Sequence, residues 1–273
     1  MLAAVCLLGG LLSASLVRFS PGYGVDEREL DPRLSLASVE AIRNSNRLNA
    51  GFFSFYGHYL VGAVHGDFGS SQWLQRPISS LIKERLPVTT KSVLFGVSLA
   101  WLVALTISLA GVFFRGFYFD ISTTLISGVL IALPAAVVAI FSVYLRAPVF
   151  VAIAVVTFPK LFRYLRNLLT HAYSQPYILA ARARGISQLT ILLHHVLPLA
   201  SPALFALLGV SFAVAFGAAI PIEALCDSPG VGQLAWQAAL NRDLPLIMNL
   251  TLLVTLITVA ANMLATMVHE RAL

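Results

Sequence analysis

The sequence has little charge for its length. Of 273 residues only 18 are Lys or Arg and 12 are Asp or Glu, whereas 58% are hydrophobic. Soluble domains carry about 25% charged residues, which cover the surface they expose to water. The composition therefore excludes a water-soluble fold and indicates that the solvent of this chain is the lipid bilayer.

The sequence also lacks the motifs of several classes of enzyme and metal-binding protein. The two cysteines, Cys6 and Cys226, are separated by most of the chain, so they form neither a disulfide framework nor a metal-ligand cluster. The sequence lacks a G-x-S-x-G turn and a G-x-x-x-x-G-K-[ST] phosphate loop. We therefore expect no catalytic residue, metal or cofactor on this chain. Its basic residues are dispersed among apolar runs, so we do not expect nucleic-acid binding.

Long stretches without Asp, Glu, Lys or Arg are abundant. A bilayer core of about 30 Å is crossed by about 20 helical residues, and the stretches 92–114, 121–145, 185–222 and 244–268 reach that length. An apolar run at the N-terminus and a shorter one at 148–159 add two more. The sequence predicts an all-α, polytopic membrane protein with six transmembrane helices, at 2–17, 90–113, 119–144, 147–168, 199–221 and 245–268.

Three segments are predicted. Residues 1–19 form the first transmembrane helix, whose start looks truncated; a secretory signal is the alternative, but no basic residue precedes the apolar run. Residues 20–89 form an extracytoplasmic cap, too short for its own core, which ends in a separate helix near 77–86. Residues 90–273 form the transmembrane core, which includes a loop at 169–198.

The charge of the loops predicts the orientation. Residues 160–198 hold five basic residues and no acidic one, whereas residues 222–244 hold three acidic residues and one arginine. By the positive-inside rule the first segment is cytoplasmic and the second is outside. Six spans then place both termini in the cytoplasm.

The loop between the fourth and fifth spans predicts a helix, a break and a second helix. Its alanines favour a helix, Gly185 is placed to end it in the left-handed conformation, and Ser187 can cap the next helix. Small and basic residues here suit a protein partner, while lying flat on the membrane surface is the alternative. The candidate residues are Tyr177, Ala180, Ala181, Arg182, Ala183, Arg184, Gly185, Leu197 and Pro198.

The spacing of Ala180, Ala181, Gly185, Leu197 and Pro198 resembles the EAA loop of ABC importer permeases. That pattern is E-A-A, three residues, G, nine residues, I, one residue, L-P. The chain departs from it in two places, since Leu179 replaces the glutamate and His195 the isoleucine. The glutamate is commonly absent in the dipeptide, oligopeptide and nickel permease branch.

Two further regions are similar to that branch. Residues 66–70, 76–77 and 84–87 resemble its GDFGxS and RP…ERLP stretch, and the outer loop resembles its ET-F…PGLG…RDYP stretch. The residues that carry the second likeness are Glu223, Pro229, Gly230, Gly232, Arg242, Asp243 and Pro245. The chain departs from the branch in its short connection near 144–148 and in the cap at 20–66.

The resemblance implies a permease subunit in a bacterial inner membrane that imports peptides, nickel or related solutes. Implied partners are a second homologous permease, two cytoplasmic ABC ATPases that bind ATP and Mg²⁺, and an extracytoplasmic solute-binding protein. The rival functions are an ATP-independent channel or secondary transporter and an intramembrane enzyme. Both rivals would need intramembrane ionisable groups, which are nearly absent.

The sequence also predicts residues of a translocation path or outer gate. Glu223, Asp227 and Asp243 would attract a cationic cargo; the alternative for Glu223 is a bond to a helix N-terminus or to Arg242. Pro134 is expected to kink the third span. The remaining gate candidates are the turn residues Pro229, Gly230 and Gly232.

Overall fold

A computed structural model of the protein describes residues 66–114 and 117–271, with isolated positions 11, 15, 57 and 62. The described chain is helical and contains no strand, which confirms the all-α prediction. The predicted first span at 2–17 and most of the cap at 20–89 lie outside the described residues. The helices are α1 Ile78–Phe114, α2 Phe117–Ala132, α3 Ala135–Tyr144, α4 Val149–Tyr173, α5 Pro176–Ala183, α6 Gln188–Ile191, α7 Leu197–Leu225, α8 Val231–Leu240 and α9 Leu244–Arg271.

The described residues belong to two compact units. The first takes in the chain up to Lys83 together with Ala238–Thr255, and the second takes in Glu84–Gln237 and the chain from Leu256. In the first unit the loop at 66–77 is held by hydrogen bonds, among them one from the Asn249 side chain to the Phe68 carbonyl at 3.1 Å. The second unit contains the helices α2 to α7.

The predicted separate helix near 77–86 is wrong. One 37-residue helix, α1, runs from Ile78 through Pro87 to Phe114, so the predicted second span begins as the continuation of this segment. Pro87 lacks an N–H and leaves the carbonyl four residues earlier without its helical partner, which usually ends or kinks a helix. Here the helix continues through Pro87, and residues before and after it, Leu81 and Val93, are buried.

Three helical stretches in the described chain are long and apolar enough to cross a bilayer, and a bent pair would make a fourth. The three are Ile78–Phe113, Gln188–Leu225 and Leu244–Met263. The predicted third span at 119–144 is not one rod, because α2 and α3 meet at an angle of 98° next to Pro134. The kink predicted for Pro134 is therefore present, and it is a sharp corner.

The predicted fourth span corresponds to α4, which is not among those stretches because Lys160, Arg163 and Arg166 interrupt its apolar sequence. Small residues let α4 approach α1 closely. A Cβ on Gly96 would lie 2.8 Å from the Ile153 side chain, a distance that real Cβ atoms avoid. The core around this crossing contains alanines and valines, as in membrane-helix interfaces where small residues permit close packing.

Candidate functional site

The loop between α4 and α7 has the local structure predicted from its sequence. Helix α5 ends at Ala183, and Gly185 follows with a φ of +79°, a conformation that disfavours residues with a Cβ. The Gly185 N–H donates to the Arg182 carbonyl at 2.9 Å, and the Ile186 N–H donates to the Ala181 carbonyl at 3.2 Å. The Ser187 side chain accepts a hydrogen bond from the Thr190 N–H and caps α6.

The second short helix is not separate from the fifth span, contrary to the prediction of a span at 199–221. A five-residue π-helical segment, Leu192–Val196, joins α6 to α7, so the helical path runs unbroken over Gln188–Leu225. The Leu197 N–H donates to the Leu192 carbonyl, five residues earlier. Pro198 follows at once; its ring crowds the preceding turn of an α-helix, and the wider π turn relieves that crowding.

One face of this loop packs inward. Ile178, Ala181 and Ile191 are buried and contact the last turns of α4, including Leu169 and Tyr173. Ala181 is only 5% exposed, so the prediction that it offers a small surface to a partner is wrong. It supports the loop from inside, because a helix face that carries Ile178 at i and Ala181 at i+3 turns both residues to the same side.

The other face of the loop is exposed and mostly uncharged. Ala180, Ala183, Arg184 and Gly185 are exposed, as is Tyr177. They are joined by leucines at 179, 189 and 193, of which Leu179 stands at the glutamate position of the EAA pattern. We call this set the loop face. Its combination of small residues, leucines and one arginine suits a protein surface that makes close, mainly apolar contacts.

Arg182 lies between the two faces. Its guanidinium carbon is 5.5 Å from the centroid of the Tyr173 ring, within the range of a cation–π contact. The Tyr173 ring also meets Phe113 edge-on, with centroids 6.2 Å apart. Beside Arg182 is an open cavity of about 410 Å³, lined also by Val112, Phe113, Gln188 and Leu189.

At the opposite end of α7, Glu223 is completely buried. Its Oε2 accepts hydrogen bonds from the Thr89 hydroxyl at 3.0 Å and from the Gly232 N–H at 2.7 Å, while Oε1 has no partner. Thr89 in turn accepts a bond from the Val231 N–H at 2.7 Å. Since Val231 begins α8, the carboxylate lies at a helix N-terminus, as one alternative predicted.

The glycines predicted as turn residues shape this carboxylate site. A Cβ on Gly230 would overlap the Glu223 carboxylate, and one on Gly232 would lie 2.6 Å from the Ile220 Cα. Pro229 precedes them in the same turn. We call Glu223, Thr89 and the residues 229–232 the carboxylate clamp. It joins α1, α7 and α8 through hydrogen bonds that need an unhindered backbone.

A second polar chain runs beside the clamp. The Gln233 side chain accepts a bond from Arg85 at 3.2 Å and donates one to Asp227 at 2.5 Å. Asp227 itself has a φ of +50°, just beyond the end of α7. Thr89, Arg85 and Gln233 were not predicted, because nothing in the sequence relates residues of α1 to a loop more than 130 positions later.

Asp243, predicted to act with Glu223 and Asp227, has a different local role. It belongs to the first unit and is 1% exposed. Its Oδ1 accepts from the Leu246 N–H at 3.2 Å and caps α9, while Oδ2 accepts from the Ser71 hydroxyl and from the Trp73 N–H at 3.1 Å. The carboxylate thus connects the loop at 66–77 to the start of α9. These hydrogen-bond partners of Asp243 all belong to the first unit.

In the part of the chain described, no group of three or more His, Cys, Asp and Glu side chains is placed to hold a metal ion. Cys226, just beyond α7, donates a weak hydrogen bond to the Ala139 carbonyl at 3.7 Å. Burial raises the pKa of this thiol above its ordinary value, so little thiolate forms near neutral pH.

The fold and the exposed apolar helices define a polytopic, all-α membrane protein. The family model for the binding-protein-dependent transport system inner membrane component matches residues 93–271. The chain therefore belongs to that family of permeases, whose members are transport subunits rather than enzymes. The recognised likeness to ABC importer permeases is confirmed.

Named relatives cover nearly the whole chain. A putative peptide transport system permease protein of Brucella suis is 26% identical over 98% of this chain and 93% of its own length. The oligopeptide transport system permease protein AppB of Bacillus subtilis is 26% identical over 95% of this chain and 91% of its own. A probable peptide ABC transporter permease protein of Sinorhizobium fredii is 24% identical over 97% of this chain and 93% of its own length.

Proposed function

We propose that this chain forms half of the translocation path of an ATP-driven importer of peptides. The second half is a homologous permease, and cargo is delivered by an extracytoplasmic solute-binding protein. The names of the relatives, which refer to peptide and oligopeptide transport, support this class of cargo over a nickel chelate. Two cytoplasmic ABC ATPases bind ATP and Mg²⁺ and supply the energy, since this sequence has no phosphate loop.

The loop face is the observation that carries this proposal. It presents exposed leucines and small residues on a segment whose other side is firmly packed on α4, so it can transmit a displacement to the membrane helices. Because α6 continues into α7 without a break, movement of the loop moves the start of α7 with it. Rigid-body motion of this kind supports alternating access between inward- and outward-open states.

The carboxylate clamp has a complementary role in the proposal. It holds the outer end of α7 against α1 and α8, so these elements act as one rigid outer gate when the inner end is displaced. Pro134 and Asp227 belong to the proposed path by position, and Asp243 contributes through the loop at 66–77. In this arrangement the chain lies in a bacterial inner membrane with both termini in the cytoplasm.

Affinity purification of the tagged subunit in mild detergent, followed by mass spectrometry and an ATPase assay, tests the proposal. We expect a P-loop ATPase and a second permease to copurify and to hydrolyse ATP. The variant Ala183→Trp places a large side chain on the exposed loop face and should remove the ATPase. The matched control is Ala203→Trp, on α7, at a distance in sequence from the loop.

Two results would contradict the proposal. One is retention of the ATPase by Ala183→Trp at the level of the unaltered chain. The other is transport by the isolated chain in proteoliposomes without ATP, which would favour an ATP-independent channel or secondary transporter. Peptide uptake that requires the binding protein, measured with radiolabelled peptides and with a nickel chelate as competitor, distinguishes the classes of cargo.

A further inference from the structure

A second cavity, of about 300 Å³, lies between α2 and α4. It is lined by Ile131 of α2 and by Lys160, Arg163, Tyr164 and Asn167 of α4. These four residues follow the spacing i, i+3, i+4, i+7, so they share one face of the helix. All four are exposed. The cavity therefore has a continuous polar wall that carries two cations.

The two cations lack a negative counter-charge. The Arg163 Nε donates to the neutral Ser127 hydroxyl at 3.4 Å, and no carboxylate of the described chain pairs with Arg163 or Lys160. The sequence contains no Asp or Glu anywhere in residues 121–222. The cavity is thus an uncompensated positive site, and an anionic ligand would supply the missing charge.

The donors around the cavity match a phosphate group. Lysine offers an ammonium with three rotatable donors, and arginine offers a planar fork that binds two oxygens at once. A tyrosine hydroxyl and an asparagine amide add neutral donors on the same face. A phosphodiester has charged oxygens in a tetrahedral arrangement that can accept from several of these groups together.

The surroundings favour a lipid as the source of that phosphate. Ile131, the α2 residue that lines the cavity, has a large apolar side chain that is 37% exposed. The face of α2 that points away from α4 also exposes Leu125, Ile126 and Val129. An exposed apolar side chain beside two cations, on a helix whose outer face is also apolar, matches the two parts of a phospholipid, acyl chains and headgroup. Basic pockets between membrane helices on the cytoplasmic side bind anionic headgroups in this way.

We propose that the cavity between α2 and α4 binds the headgroup of an anionic phospholipid, with Lys160 and Arg163 on its phosphate. Tyr164 and Asn167 donate to the remaining oxygens, and the acyl chains lie against Ile131 at the edge of α2. The bound lipid neutralises the charge of α4 and so allows this helix, interrupted by basic residues, to lie in the membrane. This inference is independent of which cargo is transported.

Native mass spectrometry of the full delipidated chain measures the binding. The probes are dioleoylphosphatidylglycerol, which is anionic, and dioleoylphosphatidylcholine, which has no net charge. We expect the unaltered chain to prefer phosphatidylglycerol and the double variant Lys160→Gln/Arg163→Gln to bind it about 30-fold more weakly. The single variant Lys160→Gln should lose about fivefold. The matched control Lys83→Gln/Lys91→Gln removes two exposed cations from α1 and should bind as the unaltered chain does.

Three results would overturn the proposal. The first is equal binding of the two lipids by the unaltered chain. The second is equal loss of phosphatidylglycerol in the cavity variant and the α1 control, which would show a general effect of charge. The third is complete displacement of phosphatidylglycerol by inorganic phosphate, which would identify a site for a free anion. Because all substituted side chains are exposed, the variants should elute as the unaltered chain does in size-exclusion chromatography.

Discussion

Helix α7 connects the loop face at one end with the carboxylate clamp at the other. At the loop end, the chain turns through a glycine with positive φ, and the packing beneath it is apolar, with Ile178 and Ile191 fully buried. At the clamp end, a buried carboxylate collects hydrogen bonds from Thr89 and from the N-terminus of α8. The loop end therefore depends on backbone conformation and apolar packing, whereas the clamp end depends on polar contacts.

This difference has a physical consequence for how each end tolerates change. Apolar packing is non-directional, so a loop built on it can shift by small amounts without losing a specific contact. A buried carboxylate is different, because removing any of its partners leaves a polar group unsatisfied in a medium without water. We therefore expect the clamp end to respond to substitutions more strongly than the loop end.

The largest effect is expected from Glu223→Ala. The substitution leaves the Thr89 hydroxyl and the Gly232 N–H without their acceptor and creates a cavity, so it should reduce the free energy of unfolding by about 3 kcal/mol or more. Thermal unfolding in detergent measures this loss. In a Cys6→Ser background, maleimide should also label Cys226 faster, because the end of α7, which places this thiol against the Ala139 carbonyl, is no longer held.

Glu223→Gln is the control for that variant, because it keeps the size of the side chain and an oxygen that can accept from Gly232. It should lose less stability than Glu223→Ala. An unchanged unfolding temperature together with an unchanged labelling rate in Glu223→Ala would show that the clamp does not hold α7.

The next largest effect is expected when a glycine is replaced by alanine at each end of α7. The two single variants are Gly230→Ala at the clamp and Gly185→Ala at the loop. At Gly230 the new Cβ overlaps the Glu223 carboxylate, so we expect a loss of about 2–3 kcal/mol. At Gly185 nothing lies within 4 Å of the new Cβ. A double-mutant cycle with Glu223→Ala separates the two mechanisms. Added to Gly230→Ala, the Glu223→Ala substitution should relieve much of the loss in free energy of unfolding. Added to Gly185→Ala, it should relieve none.

Gly185→Ala alone should cost about 1 kcal/mol, the strain of a left-handed residue with a Cβ. Gly185→Asn should cost less, since asparagine adopts this conformation more readily. Thermal unfolding of the two variants provides the measurement. Equal losses from alanine and asparagine would indicate that backbone strain does not determine this turn.

The smallest effect is expected at Arg182 and Tyr173. Arg182→Gln removes the cation over the ring and should lose about 0.5–1 kcal/mol. Tyr173→Phe keeps the ring and removes a buried hydroxyl that has no hydrogen-bond partner, so it should be neutral or slightly stabilising. A larger loss in Tyr173→Phe than in Arg182→Gln would contradict the cation–π assignment.

Local features of this fold follow from the sequence more readily than distant contacts do. Gly185, Ser187 and Pro134 were predicted correctly, because backbone conformation and capping depend on neighbouring residues. The passage of α1 through Pro87 was not predicted, since a proline locally indicates a helix end, whereas here buried residues lie on both sides of it. The π-helical segment that joins α6 to α7 was not predicted either.

The carboxylate clamp shows which contacts could not be predicted from the sequence. Its glycines were identified as turn residues, and a helix N-terminus was named as an alternative partner for its carboxylate. Thr89 was missed, because its contact with Glu223 spans 134 positions and only the folded chain brings the two together. Asp243 was grouped with Glu223 as one acidic cluster, whereas its hydrogen bonds cap a helix in the other unit.

The corner at Pro134 also affects the surrounding lipid. Helix α2 has 16 residues, a length of about 24 Å, whereas the hydrocarbon core is about 30 Å thick. Because α3 turns away at 98°, it adds almost nothing to that length along the direction of α2. With α2 along the bilayer normal this leaves a hydrophobic mismatch of about 6 Å, which the bilayer accommodates by thinning locally. Membranes with shorter acyl chains should fit this side of the protein best.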